Sequence, residues 1–283
     1  MTGSTGAVGR GRVAVVTGAA SGIGLGLSER FAAEQMRVVM ADVEAPALAA
    51  AAERVGRLGA EVLPVVTDVS KADQVEALRD RTLDAFGAVN VLCNNAGVGG
   101  PHDPLWLISP GDWEWVLGVN LWGVVNGIRA FMPHLLAQEA AHVVNTASIF
   151  GVFAGALGPY GISKHAVVAL SETLHFQLAE LGAPVGVSVL CPGAVRTNFG
   201  SSARNRPAEA GPPSASEASE RASREEFDRL MAAGREPIEV AELVVEGIRS
   251  SRFYILTSEN RNVAVRRRGE EIVSGGPPAP PFP

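Results

Sequence analysis

Two cysteines among 283 residues leave little material for covalent or metal architecture. Cys93 and Cys191 each lie inside an apolar run, so neither a disulfide framework nor a clustered zinc site is expected, and a reducing cytoplasm is the expected setting. The five histidines show no HExxH or comparable ligand spacing, which argues against a metal. Positive charge is also short: 24 Lys plus Arg face 30 Asp plus Glu, a net −6 that opposes nucleic acid as a partner. No stretch holds 18 uninterrupted apolar residues, and the opening MTGSTGAVGRG lacks the apolar centre of a secretory leader, so no membrane association is expected. Only 19% of residues are charged against 47% hydrophobic, the balance of a globular chain rather than a disordered one. No internal repeat is visible.

Short β-branched runs alternate with longer helical patterns: RVAVVT (12–17), RVVMA (37–41), VLPVV (62–66), VNVLC (89–93), HVVNTA (142–147), GVSVL (186–190) and FYIL (253–256). Continuous apolar strands separated by helices imply a parallel sheet covered on both faces. The expected fold is therefore α/β: one doubly wound, Rossmann-like domain over 12–257 with a seven-stranded parallel sheet. Residues 1–11 are expected to be a flexible N-terminus. The Ser, Ala, Glu, Arg, Gly and Pro composition of 198–236 predicts a substrate lid or insertion. Residues 258–283 form a C-terminal extension ending in the Pro-rich GGPPAPPFP.

Helix signals lie between the strands. Ser70 with Asp73 three residues on predicts a capping box, and Ser109-Pro110 predicts a cap followed by proline at the first helical position. Helices near 110–138 and 160–182 are apolar on more than one face. Gly123 and Gly127, four apart in a helix that also carries Gly118, would admit another backbone, which suggests a subunit interface.

Directly after the first strand comes Thr17-Gly18-Ala19-Ala20-Ser21-Gly22-Ile23-Gly24, leading into a helix. A strand, a glycine-rich turn and a helix N-terminus together make an anion site, because exposed amides and the positive helix end face the phosphate. The spacing is G-x-x-x-G-x-G, and a plain tight turn is the competing reading. Asp42 ends the second strand where a ribose-binding acid belongs, with no basic residue at Ser21 or Val43 to accommodate a 2′-phosphate. A cap for the following helix is the alternative for Asp42.

The second constellation is Tyr160-Gly161-Ile162-Ser163-Lys164. Four residues make close to one helical turn, so phenol and ammonium project from one face. A fixed ammonium can stabilise a tyrosinate and draw a weak base toward a useful pKa. The chain has only two tyrosines and two lysines, so a chance pairing at this spacing is improbable.

Together these motifs resemble the short-chain dehydrogenase/reductase family: TGxxxGIG (17–24), Asp68-Val69 after the third strand, NNAG (94–97), a helical Asn120, Ser148 after the fifth strand, YxxxK (160–164) and PG (192–193). The resemblance runs from about 12 to 257. It implies that Tyr160 is the general acid/base, Ser148 holds the substrate oxygen, Lys164 lowers the tyrosine pKa and binds the nicotinamide ribose, and Asn120 positions a proton-relay water. The implied cofactor contacts are Gly18, Ser21, Gly22, Ile23, Gly24, Asp42, Asp68, Val69, Asn94, Ala96, Gly97, Tyr160, Lys164, Pro192, Gly193, Val195 and Thr197.

The expected activity is interconversion of a secondary alcohol and a ketone, with NAD favoured over NADP. Rival expectations are an NADPH-dependent ketone or 3-oxoacyl reductase, and a non-catalytic nucleotide-binding regulator. The expected partners are a small alcohol or ketone of apolar character and further copies of the chain, as a dimer or tetramer. One departure stands out: Ser148 precedes Tyr160 by 12 residues where the family usually has 13, which puts the serine's placement in question, a turn-bonding hydroxyl being its other reading. Phe150, Phe153, Leu157 and Trp106 flank this region as pocket or core candidates, and Arg266-Arg267-Arg268 reads as a solvated run balanced by Glu270 and Glu271.

Overall fold

The computed structural model describes residues 6–153, 155, 157–214, 229, 231–258 and 262–279. Seven parallel strands form one sheet in the order β3-β2-β1-β4-β5-β6-β7. They are β1 (Val13–Thr17), β2 (Arg37–Asp42), β3 (Val62–Val66), β4 (Val91–Asn94), β5 (Ala141–Thr146), β6 (Val185–Cys191) and β7 (Tyr254–Leu256). Eight α-helices accompany them among the described residues: α1 (Gly22–Ala33), α2 (Ala45–Gly56), α3 (Ala72–Phe86), α4 (Pro110–Leu117), α5 (Gly123–Leu136), α6 (Gly158–Glu180), α7 (Pro237–Arg249) and α8 (Asn262–Ser274). None is long and apolar enough to cross a membrane.

The strands read as unbroken apolar runs because each face of the sheet carries its own core. In β1, Ala14 and Val16 join a cluster with Leu27 and Phe31 of α1 and Val240 and Val244 of α7. Val13 and Val15, pointing the other way, join Leu78 of α3, Phe131 of α5 and Leu174 of α6. β1 pairs with β2 on one side and β4 on the other, so the winding reverses there and the crevice opens at the carboxyl ends of β1 and β4.

Several local expectations are corrected. Residues 6–11 are not a loose end: Ala7 and Val8 are buried in the α1 and α7 core, and the Gly11 amide donates to the Gln35 carbonyl at 3.0 Å. Ser70 does not cap α3, whose N-cap is Lys71, because Asp68 Oδ1 takes both the amide and the hydroxyl of Ser70 (2.9 and 2.7 Å). Ser109 does cap α4, accepting from the Asp112 amide at 3.2 Å with Pro110 behind it. The expected helix 110–138 is two helices joined by a π turn, Gly118–Trp122. The close approach at Gly123 and Gly127 is made by side chains of the same chain: a Cβ on Gly123 would lie 2.7 Å from Val69 Cγ2 in the turn after β3, and one on Gly127 only 2.0 Å from Asn94 Oδ1 at the end of β4.

Candidate active site

The glycine turn is held from behind by Thr17, the last residue of β1. Its hydroxyl accepts the amides of Asn95 (2.9 Å) and Ala96 (3.0 Å), while Asn95 Nδ2 donates to the Thr17 carbonyl at 2.9 Å, locking β1 to the NNAG turn after β4. Gly18 (φ +66) and Gly22 (φ +54) adopt left-handed backbone that a side chain would strain. A Cβ on Gly18 would also meet Ala96 Cα at 2.8 Å, and one on Gly22 would meet Thr197 Cγ2 at 2.9 Å. Ser21 is the N-cap of α1 but makes no side-chain cap, and the first turn, with Gly22, Ile23 and Gly24, carries no acid, so the positive helix end faces the crevice unneutralised.

Asp42 closes the adjoining side. Its Oδ2 accepts the Ala20 amide of the glycine turn and its Oδ1 the Glu44 amide, both at 3.0 Å. It thus ties the glycine turn to the residue that caps α2, Glu44. Burial raises its carboxyl above the ordinary range, against the pull of those amides. Beside it, Glu44 accepts from Arg204 Nη2 (2.5 Å) and Asn205 Nδ2 (2.7 Å). Nothing in the local sequence signals this contact, since its partners are separated by about 160 residues.

The remaining predicted cofactor residues line the same edge. Asp68 holds the turn after β3 through Ser70, and the Val69 carbonyl accepts Asn126 Nδ2 at 3.0 Å. Asn94 is buried, donating to Asn145 Oδ1 at 2.9 Å. Gly97 leaves room for two neighbours, Asn120 Oδ1 and Lys164 Nζ, each 3.4 Å from where its Cβ would stand. The Pro192 carbonyl accepts the Ile149 amide at 2.9 Å and the Gly193 amide donates to Thr257 Oγ1 at 2.9 Å, while Val195 bridges to Arg235 and leads into Thr197 over Gly22.

Tyr160 and Lys164 stand one turn apart on α6, with Nζ 5.8 Å from the centre of the phenol ring. Lys164 is 3% exposed and its ammonium donates to the Thr146 carbonyl at 2.9 Å. The Ser148 hydroxyl lies near enough to the Tyr160 phenol to favour its ionised form. The 12-residue spacing therefore does not separate the pair. Ser148 also accepts the Phe150 amide at 3.2 Å as N-cap of a 3-10 turn, Ile149–Gly151, so its hydroxyl is bonded to the backbone while it stands beside the phenol.

The protonation pattern differs from the sequence expectation. Burial pushes the phenol up to about 12, outweighing the Ser148 hydroxyl that favours its ionised form, and burial pushes Lys164 down to about 8. Lys164 does not offset the desolvation of Tyr160 here: the resting pair is a neutral phenol beside a readily discharged ammonium.

Asn120 is fully buried in the π turn: Nδ2 donates to the Val98 carbonyl (3.0 Å) and Ser163 Oγ (3.1 Å), and Oδ1 accepts the Val98 amide (2.8 Å). π turns recur at functional sites because they re-aim a single residue within a helix. Around Tyr160, the Phe199 ring lies 5.4 Å away by centroids. Phe153 is buried against Phe150 at 5.2 Å, whereas Trp106 is 83% exposed. The arginine run is only partly solvated: Arg268 Nη1 donates to the Val152 carbonyl at 3.2 Å, bringing α8 onto the loop after Ser148. The expected lid over 198–236 is described only at 198–214, 229 and 231–236.

A doubly wound sheet with a nucleotide crevice and a phenol, hydroxyl and ammonium at its edge defines an oxidoreductase architecture. A family model described as short chain dehydrogenase matches residues 12–208. The 1-deoxy-11-beta-hydroxypentalenate dehydrogenase of Streptomyces exfoliatus is 38% identical over 275 residues, covering 95% of this chain and 92% of that protein. A short chain dehydrogenase/reductase from Burkholderia phymatum, solved in complex with NAD, matches at TM-score 0.93 and 43% identity over 98% of this chain and 99% of that one. An alcohol dehydrogenase from Thermococcus sibiricus complexed with 5-hydroxy-NADP matches at TM-score 0.70 and 27% identity, over 87% of this chain and 95% of that one. The chain belongs to the short-chain dehydrogenase/reductase family and is an oxidoreductase of that family.

Proposed function

We propose that the chain is an NAD-dependent dehydrogenase that interconverts a secondary alcohol and its ketone, with Tyr160 as general acid/base. The observation that carries this reading is the placing of the Ser148 hydroxyl and the Lys164 ammonium beside the Tyr160 ring. The uncapped N-terminus of α1, the glycine turn and Asp42 fit a dinucleotide, which when bound supplies the hydride acceptor for the carbinol carbon. Ser148 orients the substrate oxygen beside the phenol. Tyr160 takes the hydroxyl proton as the carbonyl forms and returns it in the reverse direction, and its neutral resting form is the acid that ketone reduction needs. Lys164 supplies positive charge under the ring when the tyrosinate forms. Asn120 is a positioning residue that ties the chain after β4 to α6 through Val98 and Ser163.

The preference for NAD rests on two neighbouring acids at the end of β2, Asp42 and Glu44, with Arg204 already paired to Glu44. A 2′-phosphate there would meet like charge. The substrate is proposed to be a small hydroxy compound of apolar character, consistent with the hydroxypentalenate named for the Streptomyces relative. Assembly as a dimer or tetramer is supported by exposed Trp122 on the π turn before α5 and exposed Ile162 and Phe176 along α6. A cytoplasmic setting is supported by two free, buried cysteines.

The test is a panel of alcohols and ketones followed by cofactor absorbance, with NAD and NADP in parallel. Tyr160→Phe is expected to lose turnover by at least ~10² while keeping cofactor affinity. Near-parental turnover in that variant would overturn the catalytic assignment, and tighter binding of NADP than NAD would overturn the cofactor choice.

A further inference from the structure

After Thr197 the chain crosses the carboxyl edge of the sheet as a strap, from a site over the glycine turn to the end of β2. Phe199 lies on the Tyr160 ring at 5.4 Å, and Ser202 Oγ accepts the Gly99 amide at 2.9 Å. Arg204 and Asn205 then converge on one oxygen of Glu44 (2.5 and 2.7 Å), and Arg206 Nε reaches Asp112 Oδ1 at 2.8 Å. Thr197 over Gly22 and Arg204 on Glu44 bracket the stretch that a dinucleotide would occupy, the α1 N-terminus and Asp42.

The two ion pairs that hold the strap differ in kind. Arg206 and Asp112 are 11% and 3% exposed, and Asp112 is further bonded by Ser109 and by the amide and hydroxyl of Ser214. A buried, fully bonded pair of this sort is a fixed anchor, since separating it strands a charge. Arg204 and Glu44 are 39% and 29% exposed, in reach of water and salt. A pair so placed is weak and screened, which makes it the end that opens.

We propose that Glu44 is a cofactor-retention residue, a latch on which Arg204 and Asn205 close the strap and from which they must part before the dinucleotide leaves. This rests on the dinucleotide reading above. Glu44 is joined to that site through its own backbone, because its amide donates to Asp42, which in turn accepts the glycine turn's Ala20 amide. Arg204 and Asn205 hold the Glu44 carboxyl below its usual range, so the latch stays charged at neutral pH.

The experiment is displacement of NADH from its preformed complex, followed by stopped-flow fluorescence at low and high NaCl. Glu44→Gln keeps the amide that Asp42 binds and removes only the charge; Arg204→Met removes the partner. Each is expected to release NADH about three- to tenfold faster, the double variant no faster than the faster single, and Arg204→Lys at an intermediate rate. Release from the parent chain should quicken with salt and release from the variants should not. Variant rates within about 1.5-fold of the parent, an additive double variant, or salt-independent release from the parent would each overturn the latch. The same series run with NADPH separates the two readings: tighter retention of NADPH by the parent overturns the NAD assignment alone, while the latch stands or falls on the variant-to-parent ratio for whichever cofactor is held.

Discussion

Replacing Lys164 by methionine turns its environment into a measurable pH dependence. The ammonium is buried, and burial lowers its pKa from the ordinary 10.5 to about 8. At 1.36 kcal/mol per pH unit this corresponds to ~3 kcal/mol of penalty on the charged form of the folded chain. Below pH 8 both folded and unfolded chains hold the proton and the penalty is constant. Between about pH 8 and 10.5 the unfolded chain holds more protons than the folded one, so unfolding free energy must rise with pH. Methionine keeps most of the volume but has no proton to lose, and its missing donor to the Thr146 carbonyl acts equally at every pH. Tyr160, whose ionisation is displaced to about 12, is present in both proteins and drops out of the difference. The assay is denaturant or thermal unfolding of the two cofactor-free proteins from pH 7 to 10. The expected outcome is that the parent gains ~2.5 kcal/mol on the variant across that range, on the order of 4 °C in melting temperature for a chain of 283 residues. A difference flat to within ~0.5 kcal/mol would refute a buried, penalised ammonium at this position.

Ser148→Ala separates the two duties of that hydroxyl: turnover should fall about 10²-fold, as for other lost donors at a reacting oxygen, with a stability loss of only ~1 kcal/mol from the freed Phe150 amide, both read from kinetics and melts of one preparation. Gly127→Ala should destabilise the fold by ~1–3 kcal/mol or more, because its Cβ would stand 2.0 Å from Asn94 Oδ1 and α5 would have to lift off β4; calorimetry would detect it. Asp112→Asn should loosen the strap at its fixed end, leaving Arg206 without its carboxylate and costing ~3–5 kcal/mol, seen as faster amide exchange over 198–214.

The doubly wound sheet was legible in the sequence because parallel strands buried on both faces leave a coarse signature, unbroken β-branched runs spaced by helical periods, and because β1 with its glycine turn is local. Gly18, Gly22 and Asp42 could be read for the same reason: backbone geometry and a strand end act over a few residues. Tyr160 and Lys164 were legible because helix geometry alone brings four-apart residues together. The cap at Ser70 was misread because the competing acceptor, Asp68, bonds it more directly than a helix start can. Gly123 and Gly127 showed the right property, a close approach, while the sequence could not say that Val69 and Asn94 were the approaching groups.

Composition and short-range pattern thus determined the class of fold, the order of its elements and the residues proposed to bind phosphate or move a proton. Tertiary structure alone decided what those residues experience. It set Ser148 within reach of Tyr160 despite a shortened loop, since three-dimensional closure depends on the loop's path and not on its residue count. Desolvation, a property of everything packed around a group, raised the phenol and lowered the ammonium where a pairwise reading of phenol and ammonium pointed the other way. The meeting of Arg204 with Glu44, and of Arg206 with Asp112, depends on the path of a strap across the sheet edge. Contacts between residues so far apart in the chain follow from the packing of whole elements, and no local pattern of side chains encodes them.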